Sequence, residues 1–238
     1  MADSFEEIEN RLDHITKEMD YLNHHQVVIG FFSDENSLLL TVVRANEYGA
    51  HIRPKKASGF LWIPSRRAIK EFGKNVTAKD VASKYNTSEK HNFFVPKGKH
   101  IAAVNQDGKL VTYFYLMQKV DIPARAFIRK TGIDYRQKYR RYIKAGIEEI
   151  MYDGKTGKAL LEKLGRMGVS DMREVMRRWT KPGNAPLTID NKRGANNPLV
   201  DTGQLQKRIT WKILPMTGGT LWVSIFRLRI CWTVSGLT

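Results

Sequence analysis

One short motif in this 238-residue sequence could bind a phosphate group. Residues 154–158 (GKTGK) have the composition of a phosphate-binding loop. That motif also needs a glycine five residues before Gly154, where Glu149 stands, and it needs a strand leading into the loop. The residues before Gly154 have a helical pattern instead. We therefore predict that residues 154–158 form a loop between two helices and bind no nucleotide.

The histidine, carboxylate and cysteine patterns do not indicate a metal site or an active site either. His24 and His25 would point to opposite faces of a strand, and no HxxxH or HExxH motif accompanies them. Glu148 and Glu149 diverge by about 100° around a helix, so they cannot act together on one substrate. Cys231 is the only cysteine and lies in an apolar segment, typical of a packed thiol. We expect no metal, no cofactor and no enzymatic activity.

The charge distribution indicates an acidic partner. The chain carries 40 Lys and Arg against 24 Asp and Glu, a net charge of +16. Residues 123–181 hold 16 of the basic residues and only 7 of the acidic ones. Such an excess attracts nucleic acid or the negative surface of another protein, and the sequence does not decide between them. The cations expected to face DNA or an acidic partner are Arg129, Lys130, Arg136, Lys138, Arg140, Arg141 and Lys144.

Three tyrosines lie between these cations. Tyr135, Tyr139 and Tyr142 could stack on nucleic-acid bases, but their helical spacing favours packing in the protein core.

The clearest secondary-structure element is an amphipathic helix at the N-terminus. Ser4 and Glu7 have the spacing of a capping box. Apolar residues then recur every three or four positions, forming one stripe of Phe5, Ile8, Leu12, Ile15, Met19 and Leu22. The stripe could pack on the protein's own sheet, which we favour, or on a neighbouring subunit. In the second case Phe5, Leu12 and Met19 would be interface residues.

The rest of the chain reads as an α+β protein, with a mixed or antiparallel sheet flanked by the N-terminal helix and by basic helices. Residues 26–32 and 38–45 are predicted to form a β-hairpin with its turn at 33–37. Residues 51–119 read as a β-rich insertion with one short helix at 77–85. Helices over 122–180, including one capped by Ser170, precede a long loop at 182–205 and two strands at 208–214 and 220–234 with a turn at Gly218-Gly219. The predicted domains are 1–50, 51–119 and 120–238.

The N-terminus and the apolar segments do not indicate secretion or membrane insertion. The acidic, amphipathic start is unlike a signal peptide. The longest apolar stretch, residues 221–234, contains Arg227 and Arg229 and is too short to span a bilayer. We expect a soluble protein made in a cytoplasm.

Three stretches together resemble the virion morphogenesis and tail-completion (neck) proteins of tailed bacteriophages. They are residues 45–50 (ANEYGA), residues 120–129 (VDIPARAFIR) and residues 197–205 (NPLVDTGQL) with the following RITW at 208–211. The family has an EYG or EFG turn, an IPARPFL-like segment and a PLVDTGQL loop that leads into a strand. Ala126 departs from the pattern, because a second proline often stands there.

This resemblance implies a structural role without catalysis. Copies would form a ring, such as a hexamer or a dodecamer, between the portal or head connector and the tail tube, and genomic DNA would cross its lumen. The chain would be found in the virion after assembly in the host cytoplasm. Loop residues expected to contact subunits or partners are Pro198, Leu199, Asp201, Thr202 and Leu205. A sequence-nonspecific DNA-binding protein is the alternative, and a phage nuclease is a weaker one.

Overall fold

The computed structural model of the protein describes residues 2–32, 38–55, 59–87, 92–192, 196–201, 203–216 and 225–228. Over these residues the chain is an α+β protein with antiparallel sheets, as predicted. In chain order the helices are α1 (Ala2–His24), α2 (Leu38–Tyr48), α3 (Arg66–Phe72), α4 (Ala78–Tyr85), α5 (Phe127–Asp134), α6 (Arg136–Asp153), α7 (Gly157–Arg178), α8 (Pro186–Asn191) and α9 (Gln204–Lys207). The strands are β1 (His25–Gly30), β2 (Ala50–Ile52), β3 (Leu61–Pro64), β4 (Phe93–Phe94), β5 (Ile101–Gln106), β6 (Lys109–Met117), β7 (Val120–Ile122), β8 (Thr210–Pro215) and β9 (Ile225–Leu228).

The chain divides into two compact units. The first unit comprises Met1–Glu47, Ala126–Trp179 and Thr202–Thr238, and the second comprises Tyr48–Arg125 and Thr180–Asp201. The predicted insertion at 51–119 therefore lies within the second unit, together with most of the long loop at 182–205. Both units are assembled from segments that are distant in the sequence, so each depends on long-range contacts.

The first unit is a small sheet packed on the longest basic helices. Its strands have the order β8-β1-β9 and are antiparallel, and α7 packs on β1 and β8. Gly165 and Gly168 allow this close approach, because a Cβ atom at either position would come within 2.4 Å of Trp211 or 2.3 Å of Ile29. The prediction that Ser170 caps a separate helix was wrong. The helix continues through both glycines because they face the sheet.

The predicted hairpin at residues 26–45 was wrong in its second half. Residues 25–30 form a strand, but 38–48 form α2. Leu and Val runs are compatible with either element, and the buried face decides between them: Val43 and Glu47 are buried and four residues apart, which is a helical spacing. The predicted turn at 33–37 lies outside the described residues.

Other boundaries also differ from the sequence prediction. Helix α1 begins at Ala2, so Ser4 lies inside its first turn and does not precede it. The strand predicted at 208–214 covers 210–215, and of the strand predicted at 220–234 only 225–228 lie within the described residues, where they form β9. The predicted Gly218-Gly219 turn and Cys231 lie outside the described residues.

The second unit is built on a four-stranded antiparallel sheet with the order β3-β6-β5-β4. The hairpin between β5 and β6 turns at Asp107-Gly108, as predicted. The helix predicted at 77–85 is confirmed as α4, where Thr77 accepts the N–H of Asp80 and the Asp80 carboxylate accepts the N–H of Thr77. The hydrophobic core of this unit contains residues of α3, α4, β5 and β6 together with Val76, and its buried members are Ala68, Val76, Val81, Ala102, Val104, Tyr113 and Phe114.

A partly buried carboxylate joins α3, α4 and β6 in this unit. Glu71 accepts hydrogen bonds from the Tyr85 hydroxyl (2.5 Å), the Tyr113 hydroxyl (2.7 Å) and the Lys84 ammonium (2.7 Å). Burial alone would raise the pKa of Glu71, but the hydrogen bonds from Lys84, Tyr85 and Tyr113 outweigh it and lower the pKa to about 2. The ionised form of Glu71 therefore stabilises the folded state.

We expect the stability contributed by Glu71 to be lost in acid. Because its folded pKa is depressed, the contribution is present above the ordinary value of 4.5 and disappears as pH falls towards about 2. Urea unfolding should show the wild type to be more stable than Glu71→Gln at neutral pH, with the difference shrinking through that pH window. A difference that is constant with pH would contradict this account.

Candidate assembly surface

Helix α1 is held to the first unit by polar side chains. The Arg11 guanidinium donates to the Met151 carbonyl oxygen through Nε (3.1 Å) and Nη2 (2.9 Å). His14 Nε2 donates to the Lys155 carbonyl oxygen (3.1 Å), and the Glu18 carboxylate accepts the N–H of Gly157 (2.7 Å). Since these carbonyl and N–H groups belong to the end of α6, the following loop and the start of α7, helix α1 supplies hydrogen-bond partners that helix ends otherwise lack.

The apolar stripe of α1 is exposed along the N-terminal half of the helix. Leu22 is buried, but the side chains of Phe5, Ile8 and Leu12 are 73%, 56% and 59% exposed. We call these three residues the α1 stripe. Burying apolar side chains of this size is worth roughly 1.5–3 kcal/mol each, so a helix that holds three of them in water retains a large driving force for association. The expectation that the stripe packs on the protein's own sheet was wrong for these three residues. Ile15 and Met19 are half-buried.

An acidic row lies beside the α1 stripe. Glu6, Glu9 and Asp13 are exposed, and their spacing of three and four residues places them along one side of the helix. By helical geometry this side flanks the α1 stripe, and the side carrying Arg11, His14 and Glu18 flanks it on the other edge. Helix α1 has seven acidic residues against two Lys or Arg, in a chain whose net charge is +16.

The predicted basic residues fall into two groups. Arg129, Lys130, Lys138 and Lys144 pair with carboxylates within their own unit: Arg129 Nε with Glu47 (3.1 Å), Lys130 with Asp134 (2.8 Å), Lys138 with Asp171 (2.7 Å) and Lys144 with Glu148 (4.0 Å). Arg136, Arg140 and Arg141 are exposed and have no acidic partner among the residues that the structure describes.

A basic row therefore runs along α6. Arg136, Arg140 and Lys144 are spaced by four residues and share one side of the helix, and Arg141 lies one step around it. We call Arg136, Arg140 and Lys144 the basic row. Immediately before it, Ile133 in the last turn of α5 is 75% exposed. An exposed apolar side chain that precedes exposed cations in the chain is suited to contact an amphipathic acidic surface.

The tyrosines between the cations serve mainly the fold, as their spacing predicted. Tyr139 is buried, and its burial together with the nearby Asp171 carboxylate raises the pKa of the phenol. Tyr135 is half-buried and donates to Glu174 (3.0 Å), and burial with this bond raises its pKa to about 12. Tyr142 is partly exposed beneath the Lys163 ammonium, which lies 5.6 Å from its ring centre.

The prediction of a continuous loop at 182–205 was wrong in part, because α8 lies within this segment and α9 begins at Gln204. Most of the segment belongs to the second unit. Leu199 is buried and Pro198 is half-buried, so both contribute to the fold of that unit. The Lys192 ammonium donates to the carbonyl oxygens of Asn197 and Val200 (2.8 Å for Val200), which fixes the loop backbone. Asp201 is exposed and pairs with Lys74 (3.2 Å).

The remaining predicted loop residues lie in the first unit. Leu205 is half-buried in α9, and Thr202 lies outside the described residues. Gly203 has a φ of +74°, a left-handed conformation that glycine adopts without strain.

Two of the motifs from the sequence contact each other. Glu47, from residues 45–50, is 1% exposed, and its carboxylate accepts the N–H of Ile128 (2.9 Å) and of Arg129 (3.2 Å). The Arg129 guanidinium bonds in turn to the carboxylate and to the Glu47 carbonyl oxygen (2.9 Å). Sequence reasoning did not single out Glu47. The one sequence signal was the absence of a capping side chain at Ala126, immediately before α5.

The glycine of the first motif also has a structural role. Gly49 has a φ of +80°, and a Cβ atom there would lie 3.0 Å from the Ile122 carbonyl oxygen and 3.1 Å from the Ala124 N. These atoms belong to the second motif, and β2 pairs with β7 beside them. Arg125 of that motif is buried and donates to the carbonyl oxygens of Pro182 (3.1 Å) and Gly183 (2.8 Å).

The positions of the three motifs follow the division of the chain. Residues 45–50, 120–129 and 197–205 each include a point at which the chain passes from one unit to the other. Motif residues in each of these stretches are used in hydrogen bonds or tight backbone approaches.

The loop predicted at 154–158 is confirmed for residues 154–156, whereas Gly157 and Lys158 belong to the first turn of α7. Within the described ranges, no three His, Cys, Asp or Glu side chains come together to hold a metal ion. None of the described helices combines the length and the apolar composition that crossing a bilayer requires.

Comparison with known proteins does not assign a family. No protein-family model matches the chain, and no curated protein sequence or solved structure is detectably similar to it. The features available for a functional proposal are therefore the α1 stripe, the acidic row, the basic row and the three motifs.

Proposed function

We propose that this chain is a non-enzymatic structural protein of the neck or tail end of a tailed bacteriophage. Copies would assemble as a ring between the head connector and the tail tube, with genomic DNA crossing the lumen. The observation that carries the proposal is the α1 stripe. A helix whose polar side is fixed by Arg11, His14 and Glu18 holds apolar residues in solvent, as an assembly element does before it meets its partner.

The motifs give independent support. The sequence resemblance rests on three stretches, and in each of them side chains or glycines hold backbone segments together. The buried Glu47 and the tightly packed Gly49 are examples. Such positions suit a protein that acts through its shape.

The proposal is tested by deleting the gene from the phage that encodes this chain. We expect electron microscopy to show filled heads and separate tails, and we expect infectious titre to collapse. A wild-type copy supplied in trans should restore joined particles. Mature particles that form normally without the protein would refute the proposal.

Substitutions on α1 sharpen this test. Leu12→Asp should fail to restore titre, because it places a charge in the α1 stripe. Asn10→Asp is the matched control, since it adds the same charge to an exposed position on the far side of the helix. It should complement like the wild type, and both variants should keep the wild-type melting temperature. Equal complementation by the two variants would remove the α1 stripe from the assembly.

The exposed guanidinium groups of Arg136, Arg140 and Arg141 favour a second candidate, a sequence-nonspecific DNA-binding protein. In that case the purified chain would bind duplex DNA as a monomer or dimer. Its affinity would fall by about 0.9 log units per neutralised phosphate for each tenfold rise in salt. Tight duplex binding by a chain that is absent from virions would favour this function over the structural one.

A further inference from the structure

We infer that the α1 stripe docks on the basic row of a second copy of this chain, with the acidic row of α1 lying against the cations of α6. This inference rests on the proposed ring assembly and names the two surfaces that form each contact between neighbouring copies. The occupant is a second copy because the two surfaces complement each other in charge and in apolar content.

Charge complementarity is the first argument. The acidic row of Glu6, Glu9 and Asp13 has no basic partner among the described residues, and Arg136 and Arg140 of the basic row have no acidic partner there. Rows of opposite charge with similar helical spacing can pair side by side when two helices pack. The acidic helix is also the exception in a strongly basic chain, so another copy offers it an attractive surface.

Apolar surface is the second argument. The α1 stripe has three exposed side chains, and Ile133 is an exposed apolar residue at the start of the basic row. Packing the α1 stripe over Ile133 removes apolar area from water on both sides, and it excludes water from the charged pairs at the edge of the contact. A DNA duplex would satisfy the cations but would leave Ile133 and the α1 stripe uncovered.

The contact cannot form within one copy. Arg11 and His14 bond to Met151 and Lys155, so α1 is held at the C-terminal end of α6. Ile133 lies in α5, before α6 begins at Arg136, and Arg136 lies 15 residues before Met151, which corresponds to roughly 22 Å of helix. Phe5 lies only about 9 Å along α1 from Arg11. The α1 stripe and Ile133 of the same chain are therefore too far apart to meet.

A contact between two different surfaces is head-to-tail. Each copy then offers α1 to one neighbour and the basic row to the other, and such contacts close into a ring when the rotation between copies permits it. A two-fold dimer through α1 alone would use the same surface twice and would leave the basic row free.

The test is a charge exchange on the full-length protein. One variant carries Glu9→Arg and Asp13→Arg, and the other carries Arg136→Glu and Arg140→Glu. Each variant alone should raise the dissociation constant of self-association by about a hundredfold, measured by sedimentation velocity, because attraction becomes repulsion at two positions. Mixing the two variants, or combining all four changes in one chain, should restore association. Lys97→Glu with Lys99→Glu, on exposed residues of the second unit, is the control and should associate like the wild type.

The outcomes separate this inference from the proposed function. Restored association in the mixture supports it. The inference would be overturned if each variant weakened self-association and the mixture did not restore it. It would also be overturned if only the α1 changes weakened self-association, and that result would favour a two-fold contact. Loss of duplex DNA binding with unchanged association would assign the basic row to DNA. A wild-type protein that stays monomeric at high concentration would also overturn the inference, whereas the gene-deletion experiment would still decide the neck function.

Discussion

Glu47→Ala is expected to lower the free energy of unfolding by about 3 kcal/mol. Helix α5 begins after Ala126, which has no side chain that could cap it. The Glu47 carboxylate caps the helix instead, because it accepts the N–H groups of Ile128 and Arg129. Glu47 lies 81 residues before Ile128 in the chain. Truncation leaves two N–H groups at a buried helix start without an acceptor.

Two other substitutions separate the capping role from the ion pair. Arg129→Ala removes a side chain that is more than half exposed, so it should cost less than about 1 kcal/mol. Glu47→Gln keeps one acceptor oxygen and should fall between the two. Chemical denaturation of all three variants measures the order. If Glu47→Ala lowers the free energy of unfolding no more than Arg129→Ala does, the carboxylate stabilises the fold through its ion pair with Arg129 and not by capping α5.

Features that depend on a few neighbouring residues were predictable from the sequence. Thr77 and Asp80 form the capping box that starts α4, because the two residues are three positions apart and need nothing else. The same holds for the loop at 154–156, where glycine ends one helix and Thr156 caps the next. The overall α+β class also followed from the alternation of helical and strand-like segments.

Features that depend on contacts between distant segments were not predictable. The Leu and Val run at 38–45 suits a strand as well as a helix, and tertiary burial of Val43 and Glu47 decides for the helix. The α1 stripe had two readings, because periodicity identifies an apolar face but not what covers it. Only the hydrogen bonds of Arg11, His14 and Glu18 show that a polar side of α1 faces the body of the unit.

The continuity of α7 through two glycines is a further case, and it leads to a prediction. Gly168 faces Ile29, and a Cβ atom there would lie 2.3 Å from Ile29 Cδ1 but 3.2 Å from Cγ1. Gly168→Ala should therefore destabilise the protein by about 1–3 kcal/mol, although alanine is the better helix former by about 1 kcal/mol. Ile29→Val removes only Cδ1 and should cost about 0.5–1.5 kcal/mol by itself.

Combining the two substitutions should reverse the sign of the glycine effect. In the Ile29→Val background the new methyl group no longer meets Cδ1, so Gly168→Ala should become neutral or stabilising, and the double mutant should be more stable than the sum of the single changes predicts. Gly165→Ala is the control, because its methyl group would meet the Trp211 ring at 2.4 Å and Ile29→Val cannot relieve that contact. Equal rescue of both alanines would mean that the helix moves as a body. Rescue of Gly168→Ala alone would show that these glycines act through single contacts with the sheet.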